Sequence, residues 1–328
     1  MRITLPRALP VTELDDVERV LAHGVEVLGS RAQLGEVGTN GAMQTLRLQL
    51  PGGGRVVEAL NVPPFAQAAQ EDFISQVARR LGVEHLFTPT MVRPDGSAMV
   101  ALGAGKPAES VGATSAADLH AALTGLYERE LPQLGRAGAA EQARVDLELG
   151  HVIDSIVANS DRHGSNILLD AKSGAVTLID IGNMGTPGRR TLRPMLNPQY
   201  LLGARDGAVE LHPRTVEILR ENLTPADLRQ LQGHLRATLA DYPGGAGGSL
   251  ENRGRQHLLK RVLSRDTFAD DMVARRERIL ATGRVEYTDA RLNEILATTW
   301  LRAYGTAAAS GVAGMAAAGT GAALLARD

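Results

Sequence analysis

The segment Asn159-Ser160-Asp161-Arg162-His163-Gly164-Ser165-Asn166-Ile167-Leu168-Leu169, followed by Leu178-Ile179-Asp180-Ile181-Gly182-Asn183, decides how this chain is read. Upstream of it, Val145, Leu149, Val152, Ile153, Ile156 and Val157 recur at helical spacing, so the polar residues follow the end of a helix. Downstream, residues 167–169 and 176–179 are short apolar runs joined by Asp170-Ala171-Lys172-Ser173-Gly174, a turn by composition. Helix, polar loop and β-hairpin together bring Asp161, Asn166 and Asp180 toward one place. Phosphoryl transfer asks for such a set, because the transferred group carries spread negative charge and needs a divalent metal plus a carboxylate that orients the attacking hydroxyl. Asp161 is the orienting acid in this reading, and Asn166 and Asp180 offer oxygen ligands to magnesium. The plainer reading of the same residues is local capping and a surface ion pair. His163 is either catalytic or a packed, hydrogen-bonded histidine, and Arg162 is expected to be structural.

At these positions the sequence resembles the catalytic segment of the protein-kinase-like superfamily. The D-R-H-x-x-N loop of its phosphoinositide 3-/4-kinase branch is matched by Asp161, Arg162, His163 and Asn166, and Asp180-Ile181-Gly182 is similar to the metal-binding D-[FI]-G. The looser N-x-D-x-H-x-x-N of the HipA-type kinases is satisfied by Asn159, Asp161, His163 and Asn166. The resemblance implies a bilobal α+β kinase-like fold, with a small sheet-containing N-lobe, a mainly helical C-lobe, and ATP with Mg2+ between them. It implies a protein or a phosphoinositide-like lipid headgroup as acceptor. It is specific over residues 150–183, holds only by order of elements over 30–110, and says little about 200–328.

Working outward toward the N-terminus, residues 67–81 read as a helix ending at Gly82, followed by a hairpin turning at Asp95-Gly96. Before them, alternating Leu46, Leu48 and Leu50 and the run 55–60 read as a β-hairpin behind the glycines Gly35, Gly38 and Gly41. Leu14, Val17, Val20, Leu21, Val25 and Leu28 predict a leading amphipathic helix. The resemblance makes the three glycines a cover for nucleotide phosphates and Glu71 the helix acid that pairs with a strand cation; a bare turn is the plainer reading of the glycines. The expected strand lysine is missing. The only lysines are Lys106, Lys172 and Lys260, and Glu58 or Asn61 occupies the slot. Arg47 or Arg55 then supplies the cation, or the site transfers another group such as a nucleotidyl group, or the protein binds nucleotide without catalysis.

Other motifs dissolve. Gly103-Ala104-Gly105-Lys106 has Pro107 where a phosphate loop needs Ser or Thr, and resembles the interlobe hinge instead. His151, Asp161 and His163 lack the spacing of a metal trio. The arginines of Gly188-Arg189-Arg190-Thr191-Leu192-Arg193 either meet an acidic partner or form a solvated loop.

The domains read as 1–105 for the N-lobe with its leading helix, 106–243 for the C-lobe, 250–305 for a helical extension and 306–328 for an Ala/Gly-rich tail. Thr224-Pro225-Ala226-Asp227 marks a helix start, with Leu223 and Leu228 as its staple. The charges Arg275, Arg276, Glu277 and Arg278 are expected on a solvated face, and residues 244–249 as a flexible connector. Residues 306–326 carry no charge and have small-xxx-small spacing, which permits a membrane contact, although alanine and glycine contribute little transfer energy. The 35 basic and 37 acidic residues nearly cancel and aromatics are 3%, so no nucleic-acid partner is expected. With no cysteine there is no disulfide or thiol chemistry, and the acidic first 30 residues lack a classical signal peptide. The alanine- and arginine-rich composition suggests a bacterial source, and the expected place of action is the cytoplasm, or a host cell into which the chain is delivered as an effector.

Overall fold

The computed structural model describes residues 25–32, 44–49, 56–61, 65–87, 90–92, 98–101, 105–159, 162–179, 184, 202, 208–240 and 263–286, with the strands before residue 105 described by their backbone. The chain is a mostly helical α+β protein with antiparallel sheets. Strands β1 (Val25–Ala32), β2 (Gln44–Gln49), β3 (Val56–Asn61), β4 (Thr90–Val92) and β5 (Ala98–Ala101) form a sheet in the order β1-β2-β3-β5-β4. Both expected hairpins are present: β2 pairs with β3, with Arg47 opposite Glu58, and β4 pairs with β5 across the segment containing Asp95-Gly96.

One expectation fails here. Val25 and Leu28 belong to no helix but to β1, paired with Gln49 and Arg47 of β2. Only Val25 and Val27 alternate with a polar residue; a register shift between Glu26 and Leu28 sets Leu28 opposite Arg47 as Val25 is opposite Gln49, so an irregular strand takes up both residues, while Leu14, Val17, Val20 and Leu21 lie outside the described residues.

Helix α1 (Phe65–Leu81) ends as expected at Gly82, whose φ of +76 suits glycine. Its apolar side, Phe73, Ile74, Val77 and Leu81, is buried. Helices α2 (Ala116–Glu130) and α3 (Gly135–Val157) form an antiparallel pair. α2 starts in a capping box between Ser115 and Asp118, with the Ser115 N–H donating to Asp118 at 3.0 Å. On α3 the residues Val145, Leu149, Val152, Ile153, Ile156 and Val157 are all at most 1% exposed. Each such side chain contributes roughly 1.5–3 kcal/mol of burial. Beyond α3, strands β6 (Lys106–Pro107), β7 (Ile167–Leu169) and β8 (Val176–Leu178) make a second sheet, in which the β7–β8 hairpin is the one anticipated.

Among the described residues, helices α4 (Pro213–Asn222), α5 (Pro225–Ala240) and α6 (Asp266–Thr282) follow, together with a small ladder of β9 (Ala208–Glu210) and β10 (Arg284–Glu286) that the sequence had not announced. The α5 start is as read. The Thr224 N–H donates to Asp227 at 2.8 Å, the Asp227 N–H donates to the Thr224 hydroxyl at 3.2 Å, and Leu223 and Leu228 are fully buried. The start of α4 is held from α3, where the buried Glu148 accepts from the His212 N–H at 2.7 Å and the Thr215 hydroxyl at 2.6 Å.

The charged face expected on α6 holds for Glu277 and Arg278, which are exposed, and is corrected for Arg275 and Arg276, which are buried, at 7% and 4% exposure. Both donate to carbonyls at helix ends. Arg276 donates from Nε to the Leu223 carbonyl and from Nη2 to those of Leu219 and Arg220, closing α4. Arg275 donates from Nε to the Ile156 carbonyl at the end of α3, at 2.6 Å.

A single hydrophobic cluster runs through Phe73 and Val77 of α1, Leu123 of α2, Ile153 of α3, Leu231 of α5 and Met272 of α6. Where the chain passes from the first sheet to the second, Gly105 has φ +111, and a Cβ there would lie 2.6 Å from the Leu169 carbonyl carbon. No described helix is long and apolar enough to cross a membrane. Residues 244–249 and 306–326 lie outside the described residues.

Candidate functional site

The loop begins where α3 stops. Ala158 is the only non-glycine residue with positive φ among the described residues, at +53, and it forms a Schellman turn. The Asn159 N–H donates to the Asp154 carbonyl at 2.8 Å and the Ala158 N–H to the Ser155 carbonyl at 3.2 Å. The side chain of Asp154, fully buried, is the hub of the loop's hydrogen bonds. It accepts from Asn159 Nδ2 at 2.8 Å, from Arg162 Nε at 2.9 Å and from Arg162 Nη2 at 3.2 Å. A two-point carboxylate–guanidinium contact of this kind fixes direction as well as distance.

Arg162, 1% exposed, carries that order across the site. Its Nη1 donates at 2.7 Å both to the Asn166 carbonyl and to the Ile179 carbonyl. The Ile179 N–H donates to the Asn166 carbonyl at 3.0 Å, so the end of the loop and the residue preceding Asp180 are joined directly. The structural role expected of Arg162 is thus its observed role. Asn166 is itself buried, 7% exposed, on a 3-10 turn over Gly164–Asn166 that begins after His163, and its N–H donates to the His163 carbonyl at 2.9 Å. His163 is half-buried in extended backbone.

The β7–β8 turn is locked by its own acid. Asp170 accepts from the Lys172 N–H at 3.0 Å and from the Ser173 hydroxyl at 2.6 Å, and the Ser173 hydrogen bond, followed by that from Lys172, holds its carboxyl below the ordinary carboxylate range. At the solvent rim, the Ser165 hydroxyl donates to Glu109 at 3.2 Å. Gly164 leaves room for that acid: a Cβ there would lie 2.4 Å from Glu109 Cγ.

Two further residues border the loop. His151, one turn before Asp154, is fully enclosed, and burial pushes its pKa down to about 4 against the favourable field of Asp154. It is therefore a neutral core group. On α1, Gln70 is fully buried and accepts the Met184 N–H at 3.1 Å, while its neighbour Glu71 is 6% exposed. The helix that carries the candidate acid thus touches the segment that follows Asp180.

Of the candidate residues, the structure brings Asn166 beside the position before Asp180, with His163 at the other end of the 3-10 turn, and places Glu71 on α1 and Arg47 on β2. Asp161 and Asp180, the glycines Gly35, Gly38 and Gly41, and Arg55 lie outside the described residues, as does the arginine run 188–193. Among the described residues, no three His, Asp or Glu side chains cluster as a metal site. Asp154, Gln70 and Glu109 are contributions that spacing had not singled out. The signal for Asp154 was an acid inside the apolar run Val152-Ile153-Asp154-Ser155-Ile156-Val157, which a buried helix tolerates only for a partner.

No protein-family model matches the chain, and no curated protein matches it as a relative.

Proposed function

We propose that this protein is an ATP- and Mg2+-dependent phosphotransferase of bilobal kinase-like fold, acting on a hydroxyl of a protein or a lipid headgroup. The observation that supports it is the join between Asn166 and Ile179, bridged by Arg162. It sets the candidate amide ligand next to the chain position that leads into the candidate carboxylate ligand. An amide oxygen and a carboxylate are the hard donors that magnesium takes, and the ion would neutralise charge on the phosphates.

The chain's own residues divide the remaining work. Asp161 holds the acceptor hydroxyl in line and takes its proton as the acceptor oxygen bonds to the γ-phosphorus and the bond to the β–γ bridging oxygen breaks, releasing ADP. His163, at the start of the 3-10 turn, orients the loop or the acceptor. Gly35, Gly38 and Gly41 cover the phosphates. Arg47 supplies the cation that a strand lysine would otherwise provide, a reading supported by its register opposite Glu58; Arg55 is the second candidate, and Glu71 is the helix acid.

ATP carrying label on the γ- or the α-phosphate, incubated with mixed lipids and proteins, tests this reading. Transfer of the γ-label that is abolished by Asp161→Asn while nucleotide affinity persists, together with weakened Mg2+-dependent nucleotide binding in Asp180→Ala, is the expected result. Transfer of the α-label instead means nucleotidyl transfer. Nucleotide binding with transfer of neither label means a scaffold, and either outcome overturns the proposal.

A further inference from the structure

Helix α6 places two adjacent arginines in the interior, and their contacts are unequal. Arg276 reaches three carbonyls at the end of α4 and the carboxylate of Glu277. Arg275 reaches one carbonyl, that of Ile156, and its Nη1 and Nη2 have no hydrogen-bond partner among the described residues. The acid nearest it in electrostatic terms is Asp271, one turn back on the same helix. A buried guanidinium satisfied at one nitrogen offsets little of its desolvation cost. Replacing it by an apolar side chain of similar length should therefore change stability little. What the guanidinium does that such a side chain cannot is hold the Ile156 carbonyl.

That carbonyl occupies a particular place. The Schellman turn engages the carbonyls of Asp154 and Ser155, and Arg275 takes the next one along. Directly after it come Ala158 in its left-handed conformation, Asn159, and then the loop that leads to Arg162 and Asn166. The exit direction of the chain from α3 is thus set from inside by Asp154 and from behind by α6.

We propose that Arg275 is a positioning residue for the loop between α3 and β7, so that residues 263–286 form a working part of the candidate site and not an appendage to it. This deepens the phosphotransferase reading and, for its activity arm, rests on it.

The test compares Arg275→Met with Arg276→Met in the full-length chain, with Arg275→Lys as the conservative variant. Three readouts are taken: the melting temperature, amide hydrogen exchange at Ala158, Asn159, Asn166 and Ile179, and γ-label transfer. For Arg275→Met the expected result is a melting temperature close to that of the parent, exchange at those four amides about tenfold faster or more, and kcat reduced about tenfold with nucleotide KM little changed. Arg276→Met is expected to lower the melting temperature and leave exchange at those amides, relative to global unfolding, where it was. Arg275→Lys keeps one donor within reach of the carbonyl and recovers most of the loop protection. If Arg275→Met and Arg276→Met lower stability alike and neither selectively loosens the four amides, Arg275 is an ordinary interior residue and the inference is wrong. If the parent protein transfers no label, the phosphotransferase reading fails by itself, and the exchange arm still decides what Arg275 does.

Discussion

The floor and the rim of the loop between α3 and β7 are held by different chemistry. On the floor, Asp154 and Arg162 form an ion pair with both side chains at most 1% exposed, and four further hydrogen bonds extend it to Asn159, Asn166 and Ile179. At the rim, Ser165 and Glu109 share one hydrogen bond between exposed residues. The distances are similar, yet the consequences differ, because water competes for the rim contact and has no access to the floor. Geometry is fixed where solvent is excluded. Adjustment is available where it is not.

The largest effect is expected from breaking the floor on one side. Asp154→Ala leaves the Arg162 guanidinium buried without its carboxylate and should cost about 3–5 kcal/mol in denaturant unfolding. The combination Asp154→Leu with Arg162→Met removes both charges and should recover much of that loss. Stability would return without the bridge between Asn166 and Ile179, so the double variant should fold and still fail in transfer. A double variant as unstable as Asp154→Ala would show that the pair is needed for folding itself.

An intermediate effect comes from His151, which lies one turn before Asp154 on the same helix. Its pKa falls from the ordinary 6.5 to about 4 in the fold, so the unfolded chain takes up a proton below pH 6.5 while the folded chain resists until about pH 4. Stability from this group is therefore complete above pH 6.5 and is lost as the pH drops toward 4, by roughly 3 kcal/mol in all. Unfolding curves at pH 7.5 and pH 4.5 should show His151→Leu losing about 2–3 kcal/mol less than the parent over that interval. Equal losses would mean that the histidine is not shielded. The rim provides the smallest effect. Ser165→Ala should shift stability by less than about 0.5 kcal/mol, and a larger change would place the rim in the same class as the floor.

Much of this arrangement was legible in the sequence, and what escaped has physical reasons. The β7–β8 hairpin, α1 with its glycine stop and the Thr224 cap were readable because each depends on residues near one another in the chain. The assignment of β1 failed because Val25 and Leu28 stand three apart, a helical spacing that the strand accommodates only through the register shift between Glu26 and Leu28, and the deciding partner lies on β2. Arg275 and Arg276 of α6 read as surface charge because nothing local announces that their targets are carbonyls at the ends of α3 and α4. At the loop, the motif pointed to Arg162 as a structural residue, which its buried contacts bear out. It did not show that Arg162 would bridge Asn166 to Ile179, nor that Gln70 on α1 would receive the Met184 N–H. Those links join positions distant in sequence, and only packing brings them together.

The crossing at Gly105 bears on how closely the start of β6 is fastened to the hairpin. Main chain there rests directly on main chain at Leu169 and Asp170, with no side chain between to act as a cushion. The strand is thereby nailed to its neighbour at a point where only a hydrogen fits, and any larger substituent at the nail would pry the two apart.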